Sequence, residues 1–277
     1  MPEPLPSVDI TAYLARPSEA ELEIRRLFHA DEPLVICDIG ACEGEDSVRY
    51  ARLFPRARVF AFEPLPDNQA LIRANFTRYA VANAELVPLA LSDCAGEATF
   101  HVSSGRPPEL FAGPDWNYGN KSSSLLAPTQ DDPMYGWIEF KQKITVPTET
   151  LDNFCRARGL DRIDFIHMDV QGAEYLVLTG AGFILPRTMA LWLEVSDQQL
   201  YQGQKLRTDI EQFMNDHNFA LGIENHREIE GDQFYVNRCF ARVWPYLAAK
   251  RATQFARRLH SAVGRVKARL LNPNPAR

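Results

Sequence analysis

Five acidic residues stand where apolar stretches of the sequence end: Asp38, Glu63, Asp93, Asp169 and Glu194. A carboxylate at the end of a buried strand can accept hydrogen bonds from ribose hydroxyls, take the proton of an attacking hydroxyl, or bind a divalent cation. Each residue alone is as readily explained as a turn or helix-capping residue. Because the carboxyl ends of parallel strands meet at one edge of a sheet, we expect the five to border a common ligand site.

The turn after the first apolar stretch has the composition of a binding loop. In CDIGACEGEDS (residues 37–47), Gly40 and Gly44 permit a tight turn and close approach of the backbone to a ligand. Glu63 follows Gly40 by 23 residues and ends the second strand, as expected of a carboxylate that accepts both ribose hydroxyls.

Acidic side chains surround this turn, namely Asp38, Glu43, Glu45 and Asp46. Their charge would repel the pyrophosphate of a dinucleotide placed at the helix N-terminus. The charge instead favours a ligand that combines a ribose with positive groups. S-adenosylmethionine fits this description through its sulfonium and amino groups, so the turn indicates a methyltransferase in preference to a dehydrogenase.

Helical and extended patterns alternate along the chain, which predicts a parallel sheet with right-handed crossovers. The predicted strands cover residues 34–39, 58–64, 84–92, 163–170 and 189–196, and the predicted helices cover residues 18–30, 44–54, 66–79, 150–159, 173–181 and 208–217. Residues 219–225 and 233–242 form an antiparallel pair around a turn at Gly231 and Asp232. The fold class is therefore α/β, a Rossmann-like sheet of seven mostly parallel strands with an antiparallel C-terminal hairpin.

Composition places limits on partners and compartment. The 277 residues carry a net charge of −6, which argues against a nucleic-acid-binding protein. Five scattered cysteines without a CxxC pair favour free thiols in a reducing compartment. The proline-rich start MPEPLPSVDI does not resemble a secretory signal, and no apolar run approaches the roughly 18 residues that span a bilayer. We expect a cytoplasmic protein.

The chain divides into three segments by pattern. Residues 1–32 form a leader and helix, residues 33–242 the main domain, and residues 243–277 a basic amphipathic helix and tail. Within the main domain, short extended pieces at 97–103 and 139–146 flank a long loop, residues 105–137. Its aromatic residues argue against simple disorder; they are Trp116, Tyr118, Tyr135 and Trp137.

The C-terminal segment has eight lysines and arginines from Tyr246 onward and no acidic residue. Its apolar residues recur at helical spacing on one face. Such a helix can lie on an anionic membrane surface, which would make the protein peripheral at the inner face of the membrane. Docking on the acidic body of the same chain, or on a second subunit in a homo-oligomer, is the alternative.

Several motifs resemble the FkbM family of S-adenosylmethionine-dependent methyltransferases. They are spread over residues 33–242 and read CDIGACEGEDS, FAFEPLPDN, LALSD, ETLDNF and IDFIHMDVQGAEYLVLTGA. The D-V-x-G-A-E stretch is the most specific, and Gln171 stands at its middle position, where the family usually has glutamate. The resemblance implies a class I methyltransferase fold and O-methylation, often of sugar hydroxyls in glycans and natural products.

The same resemblance implies roles for individual residues around the cofactor. Asp38 and Gly40 would frame its methionine part, Glu63 would hold the ribose, and Asp93 would approach the adenine amino group. The full cofactor-binding set is Asp38, Gly40, Ala41, Glu43, Glu63, Pro64, Ser92 and Asp93.

The acceptor side is expected at the ends of the next two strands. Asp169 and Glu194 could act as base and orienting group, or could bind Mg²⁺ together with water. His167 is a third catalytic candidate, although a histidine inside a strand is more often a core residue. Glu174 is best explained as a first-turn carboxylate favoured by the helix dipole. The aromatic residues of loop 105–137 could stack on a sugar and close over the site.

Three functions remain open from the sequence. The favoured one is an O-methyltransferase that acts on a saccharide or glycoconjugate. A methyltransferase for a small metabolite, lipid or protein would use the same sheet with a different loop. A nucleotide-binding or scaffold protein without catalysis is disfavoured, because Asp38, Gly40, Glu63 and Asp169 are all present.

Overall fold

The computed structural model describes residues 9–107, 118–129, 136–226 and 229–253. These residues fall into two compact units that divide between Cys239 and Phe240. In the second unit, residues 243–253 are helical. The rest of the predicted basic segment, residues 254–277, lies outside the described residues. Among the helices described, none is long and apolar enough to cross a membrane.

Strands and helices alternate through the first unit, as predicted. Its described strands are β1 (Val35–Ile39), β2 (Arg58–Phe62), β3 (Ala84–Val87), β4 (Ala90–Leu91), β5 (Gly96–Ser104), β6 (Glu139–Glu149), β7 (Ile163–Met168), β8 (Thr188–Ser196), β9 (Phe219–His226) and β10 (Glu230–Asn237). Its described helices are α1 (Thr11–Leu14), α2 (Glu19–Ile24), α3 (Glu45–Leu53), α4 (Pro66–Arg78), α5 (Leu151–Ala157), α6 (Glu174–Thr179) and α7 (Arg207–Asp216).

Seven of the described strands form the main sheet, in the order β3-β2-β1-β7-β8-β10-β9. Pairing is parallel except for β10, which runs antiparallel to both β8 and β9. Ile39 at the end of β1 pairs with Phe62 of β2 and with Met168 of β7, which pairs in turn with Leu193 of β8. This register brings the carboxyl ends of the four central strands to one level. The predicted seven-stranded α/β sheet is confirmed.

Local sequence explains where several helices begin. The side chain of Ser18 accepts a hydrogen bond from the Glu21 backbone at 3.1 Å and so caps the N-terminus of α2. Thr150 caps α5 in the same way through Asn153, also at 3.1 Å. Proline at the first position of α4 has the backbone angle that a helix needs and lacks only a donor that would be unpaired there.

The main core lies between the sheet and the helices that include α5 and α6. Phe154 of α5 packs edge-on against Phe60 and Phe62 of β2. Val177 of α6 and Ile166 of β7 belong to the same buried cluster. Strand β7 is buried along most of its length, as expected for a central parallel strand covered on both faces. The strand ends that carry the acidic residues therefore stand on a rigid, apolar support.

The extent predicted for the third strand is wrong. Residues 84–92 form two short strands in different sheets, β3 in the main sheet and β4 in a second one. Pro88 lies between them and has no backbone N–H to donate to a ladder, so the pairing of β3 ends before it. The polypeptide then changes sheet, and β4 pairs in parallel with β6.

The second sheet consists of β4, β6 and β5, in that order. It is built from the predicted extended pieces at 97–103 and 139–146, which are parts of the antiparallel pair β5 and β6. Ser124, from the loop between them, forms an isolated bridge with His101 of β5. Of the aromatic residues predicted to act in this loop, Tyr118 and Trp137 are described, whereas Trp116 and Tyr135 lie outside the described residues.

The predicted turn of the C-terminal hairpin is misplaced. Gly231 and Asp232 lie within β10, where they pair with His226 and Asn225 of β9. Strand β10 begins at Glu230 and ends at Asn237, earlier than predicted at both ends. As a result Asp232 stands opposite Glu194 of β8, which brings a further carboxylate to the edge of the sheet.

Candidate active site

A cavity of about 690 Å³ opens at the carboxyl edge of the main sheet. Asp38, Glu63, Asp169 and Glu194, at the ends of β1, β2, β7 and β8, all line it. The volume is within the roughly 300–1,000 Å³ typical of small-molecule sites. Four of the five predicted strand-end carboxylates thus share one cavity.

The glycine turn after β1 forms the floor of this cavity. Gly40 has a φ of +85°, and a Cβ added there would lie only 1.8 Å from the carbonyl oxygen of Asp169. No other residue could therefore occupy this position without moving the end of β7. The backbone N–H groups of Gly40 and Ala41 both donate to the Phe62 carbonyl, at 3.0 and 2.9 Å. The turn is thereby held between β2 and β7.

Glu63 is buried at the end of β2 and is anchored by the backbone. Its Oε2 accepts from the N–H of Cys42 at 2.9 Å, and its Oε1 accepts from the N–H of Leu65 at 2.8 Å. Burial raises the pKa of Glu63 to about 7, against the lowering effect of these hydrogen bonds. A carboxylate oxygen has two lone pairs, so each oxygen still has capacity for a ligand hydroxyl.

Asp38 belongs to a connected polar group at the side of the cavity. Its Oδ2 accepts from the Ser47 hydroxyl at 2.5 Å, and its Oδ1 lies 3.9 Å from Nδ1 of His167. Burial raises the pKa of Asp38 to about 7, while the nearby His167 acts to lower it. Tyr50 lies 3.0 Å from the same histidine nitrogen, and Asp46 lies 3.7 Å from it.

His167 is therefore a cavity residue with several partners. Burial lowers its pKa, but the charges of Asp46, Asp38 and Asp169 more than compensate and raise the pKa above its ordinary value. Its ring nitrogen Nδ1 faces Tyr50 and the two nearest carboxylates. His167 is therefore an electrostatic partner of Asp38 and a hydrogen-bond partner of Tyr50. These contacts fit a role in the site better than that of an isolated core histidine.

Asp169 and Glu194 lie side by side and share a hydrogen-bond donor. Nε2 of Gln171 donates to Oδ1 of Asp169 at 2.7 Å and to Oε2 of Glu194 at 2.9 Å. Burial, followed by the charge of Asp169, raises the pKa of Glu194 well above its usual range. A carboxylate with a raised pKa is a stronger base in its ionised form.

Glu174 stands beside this pair at the start of α6. Its carboxylate accepts from the backbone N–H groups of Val170 and Gly172, at 3.1 and 3.3 Å, as expected for a first-turn acid. One oxygen from each of Asp169, Glu174 and Glu194 can lie within 4.8 Å of the others. Three carboxylates suit a hard cation such as Mg²⁺, but the Gln171 amide already donates to two of them.

Residues from β9 and β10 complete this end of the cavity. Asp232 and Asn225 line it together with Trp192, a largely buried side chain of β8. Carboxylates and amides exchange hydrogen bonds with neutral hydroxyls, and an indole ring offers a flat apolar face. This end of the cavity thus combines hydrogen-bonding side chains with an apolar face.

Acidic side chains are the most numerous ionisable groups of the described lining. Eight acidic side chains contribute to it, and Lys121 is the one lysine or arginine among the described lining residues. Lys121 comes from the loop between β5 and β6 and is 2.9 Å from Glu45 and 3.7 Å from Glu43. The acidic residues of the lining are Glu19, Asp38, Glu45, Asp46, Glu63, Asp169, Glu194 and Asp232.

Residues 38–221 match the family model described as the methyltransferase FkbM domain. This match covers more than half of the chain. The chain belongs to the FkbM family of methyltransferases. The family predicted from the motifs is confirmed, and its methyl donor is S-adenosylmethionine.

Individual relatives are similar over most of the chain. The 2-O-methyltransferase NoeI of Sinorhizobium fredii (strain NBRC 101917 / NGR234) is 36% identical over 216 residues, which is 78% of this chain and 84% of that protein. Methyltransferase sdnD of Sordaria araneosa is 26% identical, over 72% of this chain and 78% of that protein. Among solved structures, an rRNA methylase from Streptococcus thermophilus has 12% identity and a TM-score of 0.45, covering 80% of this chain and 96% of that one.

The cavity of this FkbM methyltransferase fits its cofactor. The acidic group at Asp38 suits the cationic methionine end, and the buried carboxylate of Glu63 has acceptor capacity left for ribose hydroxyls. Gly40 lets the turn after β1 pack directly against the backbone of Asp169, so that both segments line the same cavity. When bound, S-adenosylmethionine supplies a methyl group already activated by its sulfonium.

Not every predicted cofactor residue of the methyltransferase borders the cavity. Gly40, Ala41, Glu63 and Pro64 line it together with Asp38, but Ser92, Asp93 and Glu43 are outside the described lining. Glu43 is fully buried and accepts from Nδ2 of Asn120 at 3.1 Å. The Ser92 backbone donates to the Glu149 carbonyl at 2.9 Å, and the neighbouring Leu91 and Ala90 face the cavity instead.

Sequence reasoning missed the N-terminal wall of the site. Tyr13, Pro17 and Glu19 line the cavity, although residues 1–32 were expected only to precede the domain. Arg49 of α3 holds this segment, because its guanidinium donates to the carbonyls of Tyr13 and Arg16, both at 2.8 Å. Arg49 stands between the apolar residues Val48 and Tyr50, and this charge among apolar residues was the signal in the sequence that could have revealed the contact.

Two further residues of the cavity lining, Asp232 and Lys121, were not predicted from the sequence. Asp232 was assigned to a turn, and Lys121 lay in a long loop without a pattern of its own. Glu43 and Glu45, the two acids beside Gly44, require a nearby positive charge. Lys121 provides it, and its ammonium group donates a hydrogen bond to Glu45. The unmatched charge of the GACEGED stretch was therefore the available signal.

Proposed function

We propose that this FkbM methyltransferase is an O-methyltransferase and that its acceptor is a hydroxyl of a saccharide or glycoconjugate. The observation that carries the proposal is the pair of neighbouring carboxylates, Asp169 and Glu194, on the acceptor side of the cavity. The 36% identical relative is named as a 2-O-methyltransferase, which supports transfer to oxygen.

The chain's own residues would account for the remaining requirements of such a transfer. A hydroxyl is a poor nucleophile until its proton is accepted, and the ionised form of either Asp169 or Glu194, which the Gln171 amide holds side by side, would accept it. Glu63 and Asp38 fix the cofactor on the other side of the cavity. Positioning of the two reactants then supplies most of the rate enhancement, since the methyl group arrives activated.

The acceptor end also favours a particular charge class. Asp169, Glu194 and Asp232 converge there, so an acidic sugar would be repelled, whereas a neutral or cationic one would not. Trp192 offers an apolar face near the same carboxylates. Neutral hexose units of an oligosaccharide meet both conditions.

An acceptor screen tests the proposal. The protein would be incubated with S-adenosylmethionine and a panel of neutral oligosaccharides, matched uronate-containing oligosaccharides, amines and lipids, with methylated products identified by mass spectrometry. We expect O-methylated neutral saccharides. Transfer confined to amines, proteins or lipids would refute the saccharide acceptor.

Mg²⁺ participation is the alternative form of the same chemistry. Asp169, Glu174 and Glu194 could supply carboxylate ligands for the ion, which would then lower the pKa of a bound hydroxyl in place of a protein base. The two forms differ in their response to a chelator: loss of activity in EDTA and recovery with Mg²⁺ would favour the metal.

We further propose that the basic C-terminal segment, residues 246–277, contacts an anionic surface, either a membrane or a second copy of the chain. Its eight lysines and arginines without an acidic residue support this. Flotation with anionic liposomes at low salt, with and without the segment, tests the membrane. If the full-length protein stays unbound, the membrane proposal fails and sedimentation tests the oligomer.

A further inference from the structure

The side chain of Gln171 links the two acceptor-side carboxylates. Its Nε2 has two N–H bonds, and they are directed to Oδ1 of Asp169 at 2.7 Å and Oε2 of Glu194 at 2.9 Å. Both donors of one amide nitrogen are thus used on two carboxylates from different strands, β7 and β8. The nitrogen lies in the space between them.

Gln171 itself is held firmly in this orientation. Its backbone has a φ of +54°, a left-handed conformation that a glutamine rarely adopts. The hydroxyl of Ser124 donates to the Gln171 carbonyl at 2.8 Å, and Ser124 is fully buried. The hydroxyl of Tyr201 donates to the Ser122 carbonyl at 2.7 Å and lies 3.1 Å from Oε1 of the Gln171 amide, so the amide oxygen faces Tyr201 and the nitrogen faces the carboxylates.

We propose that Gln171 is a positioning residue that holds Asp169 and Glu194 together through its neutral amide and so makes the pair ready for proton acceptance without a divalent cation. This inference rests on the proposed function, because it assigns a role in the transfer of a methyl group to a hydroxyl. Gln171 acts through the two carboxylates and is not itself a catalytic residue.

Electrostatics give the reason why such a link is needed. An oxygen of Asp169 and one of Glu194 lie within 4.8 Å of each other, and two ionised carboxylates this close repel each other. Without a donor between them they would separate or bind a cation. The amide reduces the repulsion with two hydrogen bonds of the strong, charge-assisted kind. Each carboxylate is left with one oxygen that Gln171 does not occupy, and that oxygen can face the acceptor hydroxyl.

Replacement of the amide by a carboxylate gives the sharpest test. Gln171→Glu removes both N–H donors and adds a third negative charge with almost no change in shape. Gln212→Glu is the matched control, since Nε2 of Gln212 also donates to a carboxylate, Asp216 at 2.9 Å, but on the exposed surface of α7. Gln171→Ala and Tyr201→Phe provide milder variants in case the glutamate variant fails to fold.

Kinetics separate positioning from a structural role. A misplacement of about 1 Å can cost roughly 10²-fold in rate, so we expect kcat of Gln171→Glu to fall by at least about tenfold, with little change in KM for S-adenosylmethionine. We expect kcat of Tyr201→Phe to fall by a smaller factor, and kcat of Gln212→Glu to equal that of the wild type. EDTA should leave the wild type active. Equal kcat in wild type, Gln171→Ala and Gln171→Glu, or a wild type that EDTA inactivates and Mg²⁺ restores, would overturn the proposal.

A metal titration tests the role of Gln171 between Asp169 and Glu194 in the absence of any methyl-acceptor substrate. In a calorimetric titration with Mn²⁺ we expect no site in the wild type and one site in Gln171→Glu, lost again when Asp169→Asn is added. Binding of Mn²⁺ to the wild type that Asp169→Asn abolishes would refute the proposal. Because this titration uses no acceptor, it can succeed or fail independently of the saccharide assignment.

Discussion

The carboxylate of Glu63 accepts a hydrogen bond from the backbone N–H of Cys42 at 2.9 Å. Cys42 lies in the glycine turn after β1 and has a φ of +49°, so its N–H points across to the end of β2. One side chain therefore connects the two loops that we propose as the cofactor-binding loops. It fixes the turn and presents its remaining acceptor capacity to the cavity.

Substitution of Glu63 should weaken cofactor binding. Each hydrogen bond to a charged acceptor is worth about 1.5–3 kcal/mol, so we expect Glu63→Ala to raise the Kd for S-adenosylmethionine at least about tenfold. Glu85→Ala is the control, because Glu85 is an exposed glutamate whose partner is Arg158, away from the cavity. Calorimetry measures both. A folded Glu63→Ala protein with wild-type affinity would refute the ribose assignment.

Buried carboxylates make the stability of the ligand-free protein depend on pH. The pKa values of Asp38 and Glu63 are raised to about 7 from ordinary values of 3.8 and 4.5. The unfolded chain thus loses these protons at lower pH than the folded one. The free energy of unfolding therefore falls as the pH rises from the ordinary pKa values of the two groups to their values in the folded protein. We expect the free energy of unfolding to decrease from about pH 4 to about pH 7 and then to level off.

Denaturant titrations at several pH values measure this effect. Glu63→Gln should flatten the dependence, because it removes one of the groups that titrates late. A ligand-free protein that becomes more stable over the same interval would contradict the assignment of these buried acids.

Asp169 should matter for turnover more than for binding. Asp169→Asn keeps the shape of the side chain but removes its charge, and loss of general-base assistance should lower kcat by roughly 10²-fold or more. Affinity for S-adenosylmethionine should stay near the wild-type value. Asp161→Asn, at an exposed position before β7, serves as the control. Initial rates close to the wild type with every identified acceptor would eliminate Asp169 from catalysis.

The N-terminal wall depends on Arg49. Its guanidinium is buried, forms an ion pair with Glu21 at 2.8 Å and lies over the Tyr13 ring at 4.5 Å. Removal of one partner from a buried ion pair costs about 3–5 kcal/mol, so Arg49→Met should lower the melting temperature and expose the N-terminal segment to protease. It should also weaken cofactor binding, since that segment lines the cavity.

Arg52→Met gives the matched control on the same helix, because Arg52 is exposed. If Arg49→Met and Arg52→Met show the same rate of proteolysis and the same affinity for the cofactor, then Arg49 does not hold the N-terminal segment against the site and the segment does not contribute to cofactor binding.

The sequence pattern was sufficient for the sheet and for four of its acidic strand ends. Asp38, Glu63, Asp169 and Glu194 follow buried apolar strands, and parallel pairing alone brings such positions to one edge. These predictions depend on local periodicity and on a general rule of topology. No knowledge of distant contacts was needed for them.

The missed parts of the site depend on contacts between distant segments. Tyr13 reaches the cavity because Arg49 binds its carbonyl across 36 positions, which no periodicity records. Asp232 was misassigned because Gly-Asp is a typical turn pair, yet here it continues a strand. Pro88 ended a strand that the apolar pattern continued, and the second sheet followed from that change.

The central claim is that the chain transfers the methyl group of S-adenosylmethionine to a hydroxyl of a neutral saccharide. Its most direct test uses S-adenosylmethionine with an isotope-labelled methyl carbon and a neutral oligosaccharide found in the acceptor screen. Nuclear magnetic resonance of the product then shows which atom carries the label. We predict a labelled methyl ether on a sugar oxygen, formed by the wild type and nearly absent with Asp169→Asn. A label on nitrogen, carbon or the protein itself, or full transfer by Asp169→Asn, would contradict the account.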